Sequence, residues 1–269
     1  MIILGAFLAA LGVTDAFRDT HPSGISARRR YTALAAGLAT LIALLATSGA
    51  PVATKVGLGI SLALLLAVWA LLDVITRAIG ATAARYAAFL SIGAGITIAL
   101  LLADDGSTAW PSWIPGPLSD FPPARVILVV GIALAQVTTA NVLVRLILDA
   151  VNVPTKEGSD RLRSGRVLGP MERLFILGLG LAGNLTAAAV VVGAKGLLRF
   201  PELAASESSS RTPSPIIVQS ATGNTPSPAV ETPPIHQGPN PVTEYFLIGS
   251  FASWLLALAG LGLALLMLG

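Results

Sequence analysis

Residues 245–268 read YFLIGSFASWLLALAGLGLALLML and contain no charged side chain. A bilayer core of about 30 Å is crossed by roughly 20 apolar residues in a helix, which satisfies its own backbone hydrogen bonds where water is absent. Five earlier runs also meet this requirement: 31–49, 56–78, 86–103, 125–149 and 174–195. A seventh run, Met1 to Phe17, has a shorter apolar part, so it crosses obliquely or only enters the membrane. The pattern predicts an all-α, polytopic bundle of six or seven transmembrane helices.

The composition agrees with a chain that uses lipid as its solvent. Hydrophobic residues make up 54%, charged residues 12%, and the mean hydropathy is +0.78, whereas soluble domains carry about 25% charged residues. There is no Cys, and both His residues, His21 and His236, lie in polar stretches. Neither a thiolate site nor a His-rich metal site is therefore expected.

The basic residues indicate orientation rather than a nucleic-acid partner. The net charge is +3, but the Lys and Arg side chains sit in short loops between apolar runs. With seven crossings and the N-terminus outside, the inner loops carry most of them, including the triplet Arg28 to Arg30, as the positive-inside rule requires. Fourteen of the 17 basic residues are arginine, a bias expected of a GC-rich bacterial genome. We predict a multi-pass protein of the plasma (inner) membrane.

One long segment departs from this pattern. Residues 201–243 are rich in Ser, Thr and Pro, and TPSP occurs at 212–215 and again at 225–228. Such a composition cannot bury enough apolar surface to offset the entropy of ordering it. We predict a disordered extracytoplasmic loop between a helix bundle at 1–200 and the last helix of the same bundle at 244–269.

Polar side chains inside two apolar runs form a predicted belt. The run 125–149 contains Gln136, Thr138, Thr139 and Asn141, and the next run contains Asn184. Counting 1.5 Å per residue from the cytoplasmic ends places Asn141 and Asn184 at similar depths. They form either an interhelical hydrogen bond that holds the bundle together or part of a polar solute site or hydrated pathway.

The segment LGLGLAG at 177–183 has the glycine spacing of a dinucleotide-binding loop. That motif requires a preceding strand and a turn into a helix, whereas these glycines fall inside an apolar run predicted to be one continuous helix. We therefore interpret them as helix-packing residues, and Gly249, Ser250 and Ser253 in the last helix similarly.

A charge cluster is predicted at the ends of the last two helices. Its members are Glu172, Arg173, Lys195, Arg199 and Glu244. Arg173 is expected to anchor at the headgroups, and Glu244 is positioned to pair with Lys195 or Arg199 near the outer interface. The cluster serves either orientation and anchoring or a functional role. The polar inner loop 156–173 also offers a docking surface for a membrane or cytoplasmic protein.

Three ordered motifs in the C-terminal third carry a family resemblance. They are GRVLGPMER at 165–173, AKGLLRF at 194–200 and EYFLIGSFAS at 244–253. They resemble the GxxIGxLER, AAKSxxRF and EYxxIGTxxS motifs of a family of bacterial polytopic inner-membrane proteins, a domain of unknown function. Gly196 replaces the family's Ser, and among its early polar residues only Asp15 has a counterpart. The resemblance implies a membrane helix bundle and supplies no activity.

No arrangement typical of an enzyme is present. The sequence lacks a Ser/His/Asp set, paired carboxylates in an apolar run, HExxH and a phosphate-binding loop, so we expect neither catalysis nor a cofactor. The first hypothesis is a non-enzymatic accessory or envelope-associated component, whose partners are the lipid bilayer and a protein docked on 156–173. The alternative is a small-solute or ion permease that uses Gln136, Asn141 and Asn184 together with the charge cluster.

Overall fold

The computed structural model describes residues 1–18, 27–72, 75, 80–102, 120–151, 165–194 and 241–269. These residues form helices and no strand, which confirms the all-α prediction for this part of the chain. The helices are α1 (Ile2–Arg18), α2 (Ala27–Ala46), α3 (Val52–Ala70), α4 (Ala81–Leu101), α5 (Pro123–Val137), α6 (Thr139–Ala150), α7 (Gly165–Leu181), α8 (Leu185–Ala194) and α9 (Pro241–Leu268).

Several helices have the length and composition of membrane spans. Four qualify individually, namely α2, α3, α4 and residues Leu247–Leu268 of α9, and α5 with α6 forms a fifth if the bent pair is one span. The sequence predicted six or seven crossings. The difference arises at α1, which has only 17 residues, and at the run 174–195, which is interrupted. The predicted disordered segment lies outside the described residues up to position 240, and α9 begins at Pro241 rather than at 244.

Helix α1, the run with the shortest apolar stretch, lies at the centre of the bundle. All of its residues except Val13, Ala16 and Phe17 are buried, and it packs against α2, α3, α4, α5 and α6. Lipid tails are as apolar as Leu, so close packing rather than exclusion of water holds such helices together. The sequence of α1 suits this position because small residues alternate with Leu, Ile and Phe.

Glycines allow the closest approach, between α1 and α5. A Cβ atom built on Gly5 would lie 2.7 Å from the backbone carbonyl of Ile127, and one on Gly12 would lie 2.8 Å from the carbonyl carbon of Leu134. Gly131 of α5 faces the backbone of Gly5 in return. Because these neighbours are backbone atoms, any side chain at Gly5 or Gly12 would push the two helices apart.

Two apolar runs that the sequence predicts as single helices are broken. Helices α5 and α6 meet at Thr138 with a bend of 41°. Helix α7 ends at Leu181, so the prediction of a continuous helix over 174–195 is wrong. Gly183 adopts φ +76°, its N–H donates to the Gly180 carbonyl at 3.1 Å, and the Asn184 N–H donates to the Leu179 carbonyl at 2.9 Å. These two bonds form a Schellman C-cap, which requires a left-handed residue that glycine adopts without strain.

Candidate functional site

The break between α5 and α6 is stabilised by side chains that replace missing helical hydrogen bonds. The last carbonyls of a helix have no partner within it. Here the Leu134 carbonyl keeps its helical hydrogen bond from the Thr138 N–H at 3.1 Å, whereas the Val137 carbonyl accepts from the side-chain Nδ2 of Asn141 at 2.9 Å. The Gln136 carbonyl accepts from Nε of Arg173 at 2.8 Å. The backbone can therefore leave the helical path inside the protein without unpaired carbonyls at these positions.

Thr138 connects the break to the central helix. Its hydroxyl oxygen lies 2.8 Å from the Gly12 carbonyl of α1 and 2.9 Å from the Leu134 carbonyl in the last turn of α5. The hydroxyl is within hydrogen-bond distance of both acceptors. Because Gly12 has no side chain, α5 approaches α1 closely enough for this contact. The break is consequently held by α1 as well as by α7.

Arg173 is the central residue of the site, and only 2% of its side chain is exposed. Besides the Gln136 carbonyl, its guanidinium donates to Ser253 Oγ at 2.9 Å and to Asn141 Oδ1. These acceptors are neutral and come from α5, α6 and α9. The carbonyl end of the α5 dipole supplies a further partial negative charge. We call this cluster, Gln136, Asn141, Arg173 and Ser253, the Arg173 junction.

The Arg173 junction lies deep between the ends of its helices. Helix α5 has 15 residues, which correspond to about 22 Å of helix at 1.5 Å per residue. Helix α6 extends 12 residues in the other direction. If the bent pair spans a bilayer core of about 30 Å, the break falls in its interior rather than at the headgroups.

Three buried polar atoms close to the junction in sequence have no hydrogen-bond partner among the described residues. They are Gln136 Oε1, Thr139 Oγ1 and Trp254 Nε1. The amide nitrogen of Gln136 is used, because it donates to the Leu256 carbonyl at 2.7 Å. Buried polar atoms are nearly always paired, so each exception calls for an explanation such as a bound ion, solute or water.

The structure joins two of the three predicted belt residues. Arg173 donates to the side chain of Asn141 but to the backbone carbonyl of Gln136, whose side chain instead donates to the Leu256 carbonyl. Asn184 is elsewhere. Asn184 is exposed, and its Oδ1 accepts from the Ala187 N–H at 3.3 Å. This is an N-cap of α8, and in the described part of the chain Asn184 does not pair with Asn141. The physical reason is the Gly183 turn, which ends α7 before Asn184.

The predicted charge cluster is placed only in part. Arg173 is buried in the junction rather than anchored at the headgroups, and Glu172 is half-buried. Lys195 and Arg199 lie outside the described residues, as do residues 156–164 of the predicted docking loop. Glu244 lies near the start of α9, but its side chain is also outside the described part, so its pairing stays a prediction.

Sequence reasoning missed the role of Ser253. It predicted a small packing residue there, whereas the hydroxyl accepts from Arg173. A signal was available, because Arg173 and Ser253 belong to two of the three motifs that carry the family resemblance. Thr138 was placed in the polar belt without any indication that the helix bends there, since neither Pro nor Gly is present at 132–140.

A second buried polar cluster joins α1 to α3. Asp15 is fully buried, and both of its carboxylate oxygens lie 3.0 Å from the indole nitrogen of Trp69. Nη1 of Arg18 lies 3.3 Å from Asp15 Oδ1 and donates to the Trp69 carbonyl at 3.2 Å. The guanidinium carbon is also 6.0 Å from the centroid of the Trp69 ring. The ion pair, the indole and the helix end are therefore one unit.

The described residues contain no group of three or more His, Cys, Asp or Glu side chains that could hold a metal ion. Comparison of the chain with family models, with curated proteins and with solved structures gave no match. The case for function therefore rests on the two polar clusters themselves.

Proposed function

We propose that this chain is a permease of the bacterial plasma membrane that binds a small anion at the Arg173 junction and carries it across the bilayer. With α1 and the pairs α5–α6 and α7–α8 each counted as one crossing, the chain crosses seven times. It carries out no covalent chemistry and needs no cofactor. The observation that carries the proposal is a buried guanidinium, at a helix break, bound to neutral oxygens.

The charge of Arg173 supports a binding role. An ionisable side chain inside a membrane protein is costly and usually marks a path for an ion or solute. A guanidinium has five N–H donors, and three of them have an acceptor among the described residues. Two donors are left for a ligand, and the neighbouring Glu172 opposes the positive charge of Arg173 only in part. A halide, or an anion that contains at least one oxygen, would accept from the two donors and neutralise the charge.

The broken helices support the same interpretation. Transporters bind solutes near mid-membrane at discontinuous helices, whose free termini face the ligand. Helix α6 begins at Thr139, next to the junction, so its N-terminal N–H groups add to the positive potential there. The unpartnered Thr139 hydroxyl lies at this terminus. Arg173 and the N-terminus of α6 thus favour the same class of ligand, a small anion.

The family resemblance is compatible with this role, and membership of that family is part of the proposal. Its GxxIGxLER and EYxxIGTxxS motifs are far apart in sequence, yet their Arg173 and Ser253 form a hydrogen bond of 2.9 Å. A contact between two motifs is expected if the motifs build one site. The accessory-component hypothesis relies on the 156–173 loop, and residues 156–164 of it lie outside the described residues. The permease is favoured by the described geometry of the Arg173 junction.

The proposal is tested with purified protein in proteoliposomes adsorbed to a solid-supported membrane. Concentration jumps of chloride, formate, acetate and phosphate report anion movement as a transient current. We expect a current with at least one of these anions, and Arg173→Lys should reduce it at least tenfold because Lys cannot bind three acceptors in a planar fork. Asn141→Ser should reduce it by a similar factor, since a hydrogen bond to a charged group contributes about 1.5–3 kcal/mol.

A matched control is available within the chain. Asn184→Ser removes the same amide group but retains an oxygen that can cap α8, so its current should equal that of the unmodified protein. Size-exclusion profiles and thermal unfolding establish that each variant is folded. If the unmodified protein moves none of the four anions, while gentle purification from native membranes recovers a stoichiometric protein partner, the permease proposal is wrong and the accessory role is favoured.

A further inference from the structure

The ends of α1, α2 and α3 meet on one side of the bundle, away from the Arg173 junction. Gly37 of α2 packs against the Ala10 carbonyl at 3.0 Å and against a methyl of Leu66 at 3.2 Å, measured from a built Cβ atom. At the opposite end of the α2–α3 pair, Lys55 Nζ donates to the Ala46 carbonyl at 3.3 Å. Helices α2 and α3 are therefore antiparallel, and the start of α2 lies beside the end of α3.

Two buried arginines lie at this common end. Arg18, at the end of α1, is bound to Asp15 and to the carbonyl of Trp69 near the end of α3. Arg30 lies in the first turn of α2 on the buried face that continues with Ala33 and Gly37. That face packs on α1, so Arg30 points toward the space between the helices rather than toward open solvent.

The two arginines differ in what they bind. Arg18 has an anionic partner, whereas Arg30 has only 9% of its side chain exposed and its Nε atom is buried without a hydrogen-bond acceptor. Among the described residues, no hydrogen bond or ion pair reaches the Arg30 guanidinium. An uncompensated charge in such a position is strongly unfavourable. A group from outside the protein that supplies negatively charged oxygens would remove this penalty.

The depth of Arg30 indicates which group this is. Helix α2 qualifies as a membrane span that begins at Ala27, so Arg30 is about 5 Å inside its first residue. That is the level of the lipid headgroups, and basic pockets between transmembrane helices bind anionic headgroups. The planar guanidinium matches the two free oxygens of a phosphodiester in a bidentate contact. Arg28 and Arg29, next to Arg30, add positive charge at the rim.

We propose that Arg30, where the ends of α1, α2 and α3 meet, binds the phosphate of an anionic phospholipid. The headgroup fills the hydrogen bonds that Arg30 lacks, and its acyl chains lie along the apolar outer face of α2 or α3. Free phosphate offers the same oxygens but no acyl chains, so the lipid should bind far more tightly. This site is independent of the permease proposal.

Native mass spectrometry of the detergent-purified full chain tests the assignment. Dioleoyl phosphatidylglycerol, tetraoleoyl cardiolipin and dioleoyl phosphatidylcholine are added separately, and the bound fraction is measured. We expect retention of the two anionic lipids but not of phosphatidylcholine. Arg30→Gln should lower the bound anionic lipid at least tenfold, and Arg30→Lys should bind to an intermediate extent. Arg28→Gln removes the same charge from an exposed neighbour and should change binding less than threefold.

Thermal unfolding separates lipid binding from a folding defect. Without lipid, Arg30→Gln should unfold at or above the temperature of the unmodified protein, because it removes a buried charge that has no partner. Phosphatidylglycerol should raise the unfolding temperature of the unmodified protein and leave that of Arg30→Gln unchanged. Equal loss of lipid in Arg28→Gln and Arg30→Gln would mean diffuse surface charge and overturn the site. An Arg30-dependent stabilisation by millimolar inorganic phosphate that matches the lipid would overturn the assignment to a lipid.

Discussion

Replacing Gly5 by Ala tests the central position of α1. The added methyl carbon would lie 2.7 Å from the carbonyl carbon and oxygen of Ile127 and 2.7 Å from Cα of Leu128. Favourable contacts lie at about 3.5–4.0 Å, so α1 and α5 must separate by roughly 0.8 Å or more at this level. All three neighbours are backbone atoms of a helix and cannot move away individually.

The free-energy cost follows from the contacts that this separation weakens. A gap of about 0.5–1 Å forfeits a quarter to a half of each dispersion contact, and a buried Leu makes roughly 40–60 contacts of about 0.1–0.2 kcal/mol. Leu4 and Leu128 are fully buried in α1 and α5. If half of their contacts cross the interface, each loses about 1 kcal/mol. We therefore expect Gly5→Ala to lower the free energy of unfolding by about 2 kcal/mol, within the usual range for overpacking.

The assay is reversible unfolding by SDS in mixed micelles, followed by tryptophan fluorescence. Gly93→Ala is the matched control, because a Cβ atom there meets nothing within 4 Å in the described part of the chain. It should be neutral or slightly stabilising, as Ala is a better helix former than Gly by up to about 1 kcal/mol. A Gly5→Ala protein as stable as Gly93→Ala would refute the placement of α1 against α5.

Two further substitutions test the buried ion pair and the α7–α8 turn. Asp15→Asn removes the charge 3.3 Å from Arg18, so we expect the free energy of unfolding to fall by about 3 kcal/mol in the same assay and the fluorescence emission of Trp69 to shift. A variant with unchanged stability and emission would contradict this role of Asp15. Gly183→Ala places a side chain at φ +76°, which should cost about 1–2 kcal/mol, whereas Gly178→Ala in α7 should cost nothing. Equal stabilities of these two variants would show that the left-handed turn is not required.

The candidate site was predictable in its components but not in its arrangement. Asn141 stands out as an amide in an apolar run, and Arg173 stands out through the motif resemblance, whereas Gln136 takes part through its backbone carbonyl, which any residue would supply. Their meeting depends on the break at Thr138, where the local sequence contains no helix-breaking residue. The bend is stabilised by partners distant in sequence, the Gly12 carbonyl and the Arg173 guanidinium. Periodicity and composition carry no information about such partners.

Asn184 shows the opposite limitation. The signal for a turn was local, since Gly183 followed by Asn184 is a common helix end. The apolar residues on both sides of this Gly–Asn pair nevertheless led to the prediction of one long helix over 174–195. Depth counted along a continuous helix then placed Asn184 beside Asn141, and the Schellman cap at Gly183 invalidates that count.

The sequence by itself determined that this chain is built from apolar helices of membrane length, because the length and apolarity of a run decide whether its backbone can be satisfied in lipid. Only the tertiary structure decided which helix is central. Helix α1 has the least apolar length of the seven runs, yet Gly5 and Gly12 let it approach α5 most closely. In lipid, the close packing that small residues allow, rather than hydrophobicity, decides which helix occupies the centre of the bundle. The same packing carries Asp15 and the Gly12 carbonyl into the interior, where the two polar clusters form.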